Sequence, residues 1–528
     1  MRNSVEQGRR RNGRRLWAAF ALLLLSACLI AVVFAQQQRR RRVVAGSERA
    51  SSNAGSSVIN VKAGSDLQKA LKNARPGDTL LLEPGAEFIG SFTLPAKTGD
   101  AYITVRSAAS DASLPVPGER ITPAYAAMLP KIVSPGQGAA ALKTEKGAHH
   151  YRFIGVEFKP ANASALVYDL IQLGDGSKAQ NSLDGVPHHL ILDRCYVHGV
   201  PDAYLKRGVA LNSAETEIIN SYISDCKAKG QDSQSIMGFN GPGPFKIINN
   251  YLEGAGENIM FGGAEPSIPN LVPSDIEVRG NFLTKPLAWR GVWSVKNLFE
   301  LKNARRVVVD GNLMEHNWSD GQDGTAVLFT VRAEDGRTPW ATVEDVEFVN
   351  NRVRGAGGIF NFYGDEGRGG HRVTVRNNVF DDIDAQKWKG GGQFMTATQW
   401  DGIVVEHNTI LNSGNITKSY GRPVTGFVFR NNVVMYNVYG FHGDNHAPGS
   451  DSLNTYFPKN IVSHNAIIGG DASISKDRNM FPISLKALKF VNMDAGDYRL
   501  RPDSPLKKAA SDGTDIGANS DSQALAVR

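Results

Sequence analysis

The chain contains 528 residues, of which 41% are hydrophobic, 21% charged and 8% aromatic, and this composition excludes disordered and collagen-like proteins. Lysine and arginine (59) outnumber aspartate and glutamate (52), but residues 1–42 contain ten arginines and one acid, which leaves 49 basic and 51 acidic residues in the rest of the chain. A nearly neutral body has no electrostatic footprint for a polyanion, so we expect no nucleic-acid partner.

The N-terminal segment has the pattern of an export signal. Residues 16–35 are uncharged and mostly apolar, and a run of arginines precedes them. Three endings fit the sequence: cleavage after Ala35, lipid attachment at Cys28, or retention as an anchor, since twenty apolar residues can span a bilayer. We therefore assign residues 1–35 to a signal peptide or membrane anchor and residues 36–57 to a basic and polar linker. We expect an exported protein, periplasmic, on the cell surface or secreted, with membrane contact only through this segment.

The first folded element predicted is a short helix. Residues 65–74 place apolar side chains on one helical face, with Ser65 as the candidate N-cap. A Pro-Gly-Asp turn at residues 76–78 then leads into a strand, Thr79–Leu82. Because a stack of parallel strands exposes an unpaired edge at each end, we expect this helix to cap the first turn of the fold.

The segment 109–140 interrupts the strand pattern. It contains five prolines, which favour turns and irregular structure. We expect a long surface insertion there, with one or two turns of the fold formed around residues 103–107 and 153–158.

A repeat of about thirty residues fills most of the remaining chain. Each copy has short apolar runs on both sides of a polar pair that usually ends in Asn, and the copies are 24 to 39 residues apart. The aligned positions are Cys195, Ser221, Asn250, Asn281, Asn312, Asn351, Asn378, Asn408, Asn432 and Asn465. Short runs rich in Val, Ile and Phe exclude helical repeats, and the repeat is shorter than a propeller blade of about 40–45 residues. The pattern predicts a parallel β-helix of ten or more coils, with ten coils about 45 Å long at the usual strand spacing.

Stacking of the coils assigns a role to two kinds of side chain. At a spacing of about 4.8 Å, aligned asparagines lie above one another and their amides can bond as a ladder, so we expect them to be structural. The same stacking offsets Cys195 and Cys226 by about five residues along adjacent strands, which is out of reach for a disulfide. We expect two buried thiols, and no disulfide or cysteine metal site.

Both ends of the repeat domain resemble one superfamily. Residues 66–71 (Asp-Leu-Gln-Lys-Ala-Leu) and 76–85 (Pro-Gly-Asp-Thr-Leu-Leu-Leu-Glu-Pro-Gly) resemble the opening cap of the pectate-lyase-like right-handed parallel β-helix proteins, and residues 497–506 and 512–518 are similar to their closing segment. The resemblance implies an all-β, right-handed parallel β-helix and a secreted protein that acts on an acidic polysaccharide.

The resemblance covers about residues 58–518, and we place the β-helix domain at 58–520 with a tail at 521–528. The chain lacks the Gly-His-Gly of the polygalacturonase-like hydrolases and the Trp-x-Asp-His and Arg-x-Pro-x-x-Arg of the best-known pectate lyases. Catalytic roles therefore cannot be carried over residue by residue, and fold alone does not fix an activity.

Candidate site residues come from aligning the strands that would form the floor of a groove. Alignment of Phe299, Phe329 and Phe360 as inward residues predicts two outward rows, because side chains alternate along a strand. These rows are Glu300, Thr330 and Asn361, and Lys302, Arg332 and Tyr363.

The second row has the groups that a uronate lyase needs. A cation must neutralise the C6 carboxylate, a base must take the C5 proton, and an acid can assist departure of O4. We predict Arg332 as the carboxylate ligand and Lys302 as the base. Tyr363 or His371 is the predicted acid. The alternative is that these charges only solvate the outer face of the sheet.

Further polar residues are predicted to line or support the groove. Two acid clusters suit Ca²⁺ through hard oxygen ligands, although Asp-Gly loops are more often simple turns. The clusters are Asp320 with Asp323, and Asp365 with Glu366. Predicted substrate-binding residues are Glu300, Asn361, Glu257, Asn258, Arg368 and His442.

Two other features have a structural interpretation. The pairs His149-His150 and His188-His189 resemble zinc ligands, but neighbours on a strand face opposite sides, so we expect them to occupy turns or strand edges. Six tryptophans fall largely in loops between coils and either stack on sugar rings or pack those loops onto the fold. They are Trp289, Trp293, Trp318, Trp340, Trp388 and Trp400.

The sequence favours a monomeric lyase that cleaves an extended, uronate-containing polysaccharide by β-elimination. A glycoside hydrolase on the same fold is the alternative enzyme, and it needs two carboxylates about 5 to 9.5 Å apart, for which Glu300 with Asp335 or Asp365 is the candidate pair. A non-catalytic carbohydrate-binding or surface protein is the third possibility.

Overall fold

The computed structural model describes residues 56–163, 165–474 and 477–519, and nearly all its regular structure is β-strand. Three long parallel sheets, A, B and C, contain 14, 13 and 12 strands. The chain visits them in the order A, B, C once per coil, so each strand pairs with the strand one coil later. The predicted right-handed parallel β-helix of more than ten coils is confirmed. The predicted export segment, most of the linker and the 521–528 tail lie outside the described residues.

The strand bounds show how regular the coils are. Sheet A consists of Val58–Val61, Thr79–Leu82, Ile103–Ser107, His149–Ile154, His188–Asp193, Ala214–Ile219, Phe245–Ile248, Ser274–Arg279, Ala304–Asp310, Thr342–Val349, Gly369–Arg376, Trp400–Glu406, Thr425–Arg430 and Ile461–Ser463. Sheet B consists of Glu87–Ile89, Lys131–Ser134, Glu157–Pro160, Tyr196–His198, Tyr222–Cys226, Tyr251–Gly254, Phe282–Thr284, Leu313–Asn317, Arg352–Ala356, Val379–Ile383, Thr409–Asn412, Val433–Met435 and Ala466–Ile468. Sheet C consists of Phe92–Leu94, Leu142–Thr144, Val167–Gly174, Leu205–Asn212, Gln234–Gly238, Glu257–Phe261, Asn297–Leu301, Thr325–Thr330, Gly358–Tyr363, Met395–Thr398, Thr417–Ser419 and Phe441–Gly443.

The remaining elements are short. Two α-helices are present in the described residues, α1 (Leu67–Asn73) and α2 (Ser450–Tyr456). The 3-10 turns are Asp111–Ser113, Pro123–Met128, Leu183–Gly185, Leu287–Trp289 and Leu485–Leu488. No helix in the described ranges combines the length and the apolarity needed to cross a membrane.

Helix α1 lies at the N-terminal end of the coil stack. It buries Leu67 and Leu71 in the main core and packs against the first strand of sheet C, Phe92–Leu94. The predicted N-cap was wrong by one residue: Asp66 caps the helix, because its carboxylate accepts a hydrogen bond of 2.9 Å from the backbone N–H of Lys69.

The asparagine ladder is present and lies between sheets A and B. From Asn281 to Asn465, each aligned amide oxygen accepts hydrogen bonds from the backbone N–H and the side-chain amide of the asparagine one coil earlier. The ladder begins with Ser221, whose hydroxyl accepts from the Cys195 N–H, and it extends one position beyond the prediction to Asn479. The structural role predicted for these residues is confirmed.

The two cysteines are free thiols inside the core, as predicted. Both side chains are fully buried. Desolvation by burial raises the pKa of Cys195 to about 12, so this thiol is inert at neutral pH.

The predicted insertion is shorter than 109–140. Its last part contains a regular strand, Lys131–Ser134, which pairs with Glu87–Ile89 and Glu157–Pro160 in sheet B. The four-residue strand fits between Pro130 and Pro135, so proline density alone overestimated the irregular segment.

The C-terminal segment folds back onto sheet B. A small antiparallel pair, Phe490–Asn492 with Asp497–Leu500, packs apolar side chains against outward residues of that sheet such as Val379 and Val433. Beneath it, Arg352 makes a bidentate ion pair of 3.0 and 2.6 Å with Asp381, and both side chains are buried.

Candidate functional site

The outer face of sheet C is the candidate site. Its strands do not align as predicted: Phe299 pairs with Val327, and Val327 pairs with Phe360, so the expected match of Phe299 with Phe329 was wrong by two residues. The physical reason is that a two-residue slip preserves the alternation of inward and outward side chains. Val327 and Phe329 are both apolar and both buried, so either could have occupied the inward position.

The corrected register changes the outward rows. One row contains Glu300, Leu328 and Asn361, and it continues through Thr396 and Lys418 to His442. In the other row Thr330 pairs with Tyr363, and Lys302 occupies the equivalent position one coil earlier. Arg332 lies just beyond the end of its strand.

Lys302, Arg332 and Tyr363 nevertheless remain neighbours. The backbone N–H of Arg332 donates a hydrogen bond of 3.1 Å to the carbonyl of Lys302. The Arg332 guanidinium lies 4.8 Å from the centre of the Tyr363 ring, a cation–π contact. The Lys302 ammonium lies 3.5 Å from a carboxylate oxygen of Glu300. The site therefore has a lysine, an arginine and a phenol at one end of the floor strands.

A loop carboxylate holds Arg332 in this position. Glu366 accepts hydrogen bonds of 3.0 Å from the Arg332 guanidinium and 2.7 Å from the backbone N–H of Ala333. Both side chains of the Arg332–Glu366 pair are partly exposed, so the arginine can still reach a ligand. Nearby, burial raises the pKa of Glu334, and the cations Lys302 and Arg337 oppose that shift.

His371 and Arg368 lie beside this group rather than in its rows. His371 belongs to sheet A, where it pairs with Glu344 and Asp401. Its Nε2 is 2.8 Å from the carbonyl of Arg368, whose own side chain is exposed. The catalytic role of His371 stays a prediction, and Tyr363 is the better placed of the two candidate acids.

A buried polar group lies at the start of the same floor strands. Gln234, Glu257 and Asn297 pair in register across three coils, and Glu300 lies three residues after Asn297 on the same strand. The Gln234 amide donates a hydrogen bond of 2.8 Å to Glu257, and the Asn297 amide donates one of 3.0 Å to Glu300. All four side chains are at most 2% exposed. Burial and the neighbouring charge of Glu300 raise the pKa of Glu257.

Three oxygens in this group have no hydrogen-bond partner within the described residues: Oε1 of Gln234, Oε1 of Glu257 and Oδ1 of Asn297. Buried carboxylate and amide oxygens without donors are the ligand set that a hard cation such as Ca²⁺ prefers. The residues present therefore fit such an ion. The sequence did not single out Gln234 and Asn297, although both stand two residues before an inward apolar residue, as Glu257 does.

The acids predicted as calcium ligands have other contacts. Asp365 forms an ion pair with Arg422, and Glu366 binds Arg332. A carboxylate oxygen of Asp323 accepts a hydrogen bond of 3.2 Å from the backbone N–H of Thr325 in a local turn. The N–H of Asp320 donates to the carbonyl of Gln322 in the same turn. Calcium binding by these four acids stays a prediction.

Asn258 does not face the groove, which corrects its predicted placement as a substrate ligand. Its amide donates to the backbone carbonyls of Leu252 and Thr284, and its oxygen accepts from the ammonium of Lys285. Asn258 and Lys285 are completely buried, and burial lowers the pKa of Lys285. Asn258 therefore supports the corner between sheets B and C.

His442 and Asn361 do share one outward row. Three coils separate them, or about 14 Å at the usual strand spacing. The Asn361 side-chain oxygen is buried and has no hydrogen-bond partner in the described part of the chain, and the His442 ring stacks on Tyr439 at 5.3 Å. Both positions are compatible with contacts along an extended ligand.

Most tryptophans pack loops onto the coils instead of presenting free faces. Trp289, Trp318 and Trp388 form a buried cluster in the loops that lead from sheet B to sheet C, and the Arg290 guanidinium lies over the last two. Trp400 opens a strand of sheet A and is 2% exposed. Trp293 and Trp340 are partly exposed. The four buried residues cannot stack on a sugar in this structure.

The fold and the groove define the class of the protein: a right-handed parallel β-helix with a polar floor on one sheet. No protein-family model and no curated protein sequence matches the chain. Similar solved structures include an alginate lyase from Paenibacillus sp. str. FPU-7, with 15% identity and a TM-score of 0.32 over 78% of this chain and 99% of that one. They also include pectate lyase Pel9A, with 12% identity and a TM-score of 0.32 over 90% and 98%. A third is the catalytic unit of a GH87 α-1,3-glucanase from Streptomyces thermodiastaticus, with 14% identity and a TM-score of 0.43 over 80% and 70%. These similarities concern the fold, and our assignment of the fold rests on the three parallel sheets.

Proposed function

We propose that the protein binds an extended acidic polysaccharide along sheet C and cleaves it by β-elimination. The observation that carries this proposal is the convergence of Lys302, Arg332 and Tyr363 at one end of the floor strands, beside the buried carboxylate of Glu300. A base, a carboxylate-binding cation and a hydroxyl are the three groups that elimination from a uronate requires.

Each residue has a defined role in this scheme. Arg332 binds the C6 carboxylate of the uronate and withdraws charge from it, which makes the C5 proton more acidic. Lys302 takes that proton on Nζ. Tyr363 donates its hydroxyl proton to O4 as the C4–O4 bond breaks, and the electron pair of the C5–H bond forms the C4–C5 double bond.

A hard cation fits the same scheme. Gln234, Glu257, Asn297 and Glu300 would hold Ca²⁺ through oxygen ligands, three of which lack a hydrogen-bond donor. When bound, the ion would supply positive charge to the floor of the groove. The chain's own residues would still perform the proton transfers.

Hydrolysis is the second candidate, and one observation favours it. Burial and the charge of Glu300 raise the pKa of Glu257, and a buried carboxyl group with a raised pKa can act as a general acid beside a second carboxylate. This reaction would produce reducing ends without a double bond.

Product chemistry separates these possibilities. Incubation with pectate, alginate and glycosaminoglycans should produce an absorbance near 235 nm from the unsaturated uronate on at least one of them. New reducing ends without that absorbance would replace the lyase proposal with hydrolysis, and binding with neither signal would leave only a carbohydrate-binding role.

A pair of lysine variants tests the site itself. Lys302→Ala should lower kcat by at least about 100-fold, the usual contribution of a general base. Lys246→Ala removes a lysine that pairs with Glu217 on sheet A and should leave kcat unchanged. Equal activity of the two variants would contradict the role of Lys302.

A further inference from the structure

Four histidines form a compact cluster at the start of two adjacent strands of sheet A. The expectation that neighbouring histidines face opposite sides was wrong. His150 and His189 adopt left-handed backbone conformations, with φ of 55° and 52°, and this interrupts the alternation of the strand. His149 and His150 therefore contact each other, and so do His188 and His189. We call these four residues the histidine cluster.

The rings of the histidine cluster are stacked in two layers. His188 pairs with His149 in the sheet, and their parallel rings are 4.8 Å apart. The rings of His150 and His189 stack at 4.3 Å. This close packing comes from the spacing of the coils, so the cluster is fixed by the backbone.

The ring nitrogens converge. The Nδ1 atoms of His149 and His150 are 2.8 Å apart, and those of His188 and His189 are 2.7 Å apart. Ligand atoms of His150, His188 and His189 all lie within 4.8 Å of one another. In a tetrahedral zinc site with Zn–N bonds of about 2.0–2.1 Å, the nitrogens are about 3.3 Å apart. The two Nδ1 atoms of each pair would therefore need to move apart by about half an ångström to bind an ion.

A carboxylate orients one of the rings. His189 Nε2 lies 2.9 Å from a carboxylate oxygen of Glu215, which pairs at the next coil. This contact places the ring proton on Nε2 and leaves the Nδ1 lone pair directed at His188. A carboxylate behind a histidine is the usual outer partner of a metal ligand.

One member of the histidine cluster is open to solvent. His189 is about one third exposed, so an ion can enter from solvent.

We propose that the histidine cluster binds a divalent transition-metal ion of the zinc, nickel or copper type. Imidazole nitrogens favour these ions over calcium, which prefers oxygen ligands. The site is separate from the groove, because it lies on sheet A about four coils before Lys302. A bound ion would join the strands His149–Ile154 and His188–Asp193 and stabilise this part of the stack.

The test is metal binding by the full chain, without a polyhistidine tag. Isothermal titration with Zn²⁺ should give one ion per chain, and Co²⁺ should produce the visible absorption bands of a nitrogen-ligated ion. His188→Ala should weaken Zn²⁺ binding by more than tenfold, and Glu215→Gln by about 10- to 100-fold. His446→Ala is the control variant. His446 contacts Asp451 of helix α2, outside the histidine cluster, so its loss should leave Zn²⁺ binding unchanged.

Absence of stoichiometric Zn²⁺ uptake by the wild type would overturn the proposal. Unchanged uptake in both His188→Ala and Glu215→Gln would also overturn it. Circular dichroism checks that each variant is folded, and Glu215→Gln keeps the test decisive if loss of a cluster ring disturbs folding, because Glu215 is about half exposed.

Discussion

The asparagine ladder makes a quantitative prediction about stability. The side-chain oxygen of Asn312 accepts hydrogen bonds of 2.9 and 3.0 Å from the backbone N–H and the side-chain amide of Asn281. The side-chain amide of Asn312 donates hydrogen bonds of 2.9 Å to the carbonyl of Val278 and 2.9 Å to the side-chain oxygen of Asn351. Asn312→Ala removes all four. At about 1 kcal/mol for each bond, the free energy of unfolding should fall by about 4 kcal/mol, and by more if the buried partners find no replacement.

The measurement is urea unfolding followed by circular dichroism. Because coils of a solenoid can unfold in steps, hydrogen exchange of peptides that contain Asn281 should be measured as well, and exchange there should accelerate in the variant. Asn181→Ala is the matched control, since Asn181 is exposed in a loop and its loss should cost less than about 0.5 kcal/mol. If Asn312→Ala costs no more than this control, the ladder does not stabilise the coils and the reasoning is refuted.

Three further predictions concern buried charge. Asp381→Ala leaves Arg352 buried without its partner and should lower the unfolding free energy by about 3–5 kcal/mol in urea titration, whereas Glu217→Ala breaks a partly exposed pair and should cost less than about 1 kcal/mol. Because the folded pKa of Glu257 lies above the ordinary value of 4.5, its contribution to stability is complete below pH 4.5 and is lost as the pH rises through the folded pKa. In chelator, Glu257→Gln should therefore remove part of the decline in urea midpoint between pH 4 and pH 8, and an unchanged decline would contradict the assignment. Calcium at about 100 times its Kd should raise the unfolding free energy by about 2.7 kcal/mol, and Glu300→Gln should abolish this increase.

The coil architecture could be predicted because its signal repeats. Each coil needs an asparagine at the same corner, because its amide oxygen accepts the hydrogen bonds donated by the coil before it. The asparagine therefore recurs about every thirty residues in the sequence. The strand Thr79–Leu82 was located by a different local signal, the Pro-Gly-Asp turn before it, and the structure has the same bounds. Periodic and local constraints of this kind are visible without coordinates.

The groove could be predicted only in part, because its register depends on loop lengths. Alternation identifies which residues face outward, but Val327 and Phe329 satisfy the inward position equally well, so the sequence could not choose between them. Gln234 and Asn297 became recognisable only when the register placed them in line with Glu257.

A single backbone feature explains why the histidine cluster was misplaced. Several strands of sheet A contain near their start a two-residue doublet, usually polar, whose second residue has a positive φ, and alternation of apolar residues follows it. The two side chains of each doublet therefore cannot be assigned to faces by alternation. The doublets that align in register are His149-His150, His188-His189, Ala214-Glu215, Ser274-Asp275, Arg305-Arg306, Glu344-Asp345 and His371-Arg372.

The chemistry of this column depends on which residues occupy successive coils. Where the second residue of a doublet is aspartate and that of the next coil is arginine, the two side chains form an ion pair. Arg306 contacts Asp275 at 2.7 Å, and Arg372 contacts Asp345 at 2.6 Å. Where both doublets of adjacent coils are histidine, four imidazoles are brought together. His371 shares its doublet with Arg372, so its environment is this charged column on sheet A. A polar doublet that precedes a run of alternating apolar residues, and that recurs once per coil, thus predicts a column of stacked side chains. The alternation rule alone assigns these side chains to the wrong face.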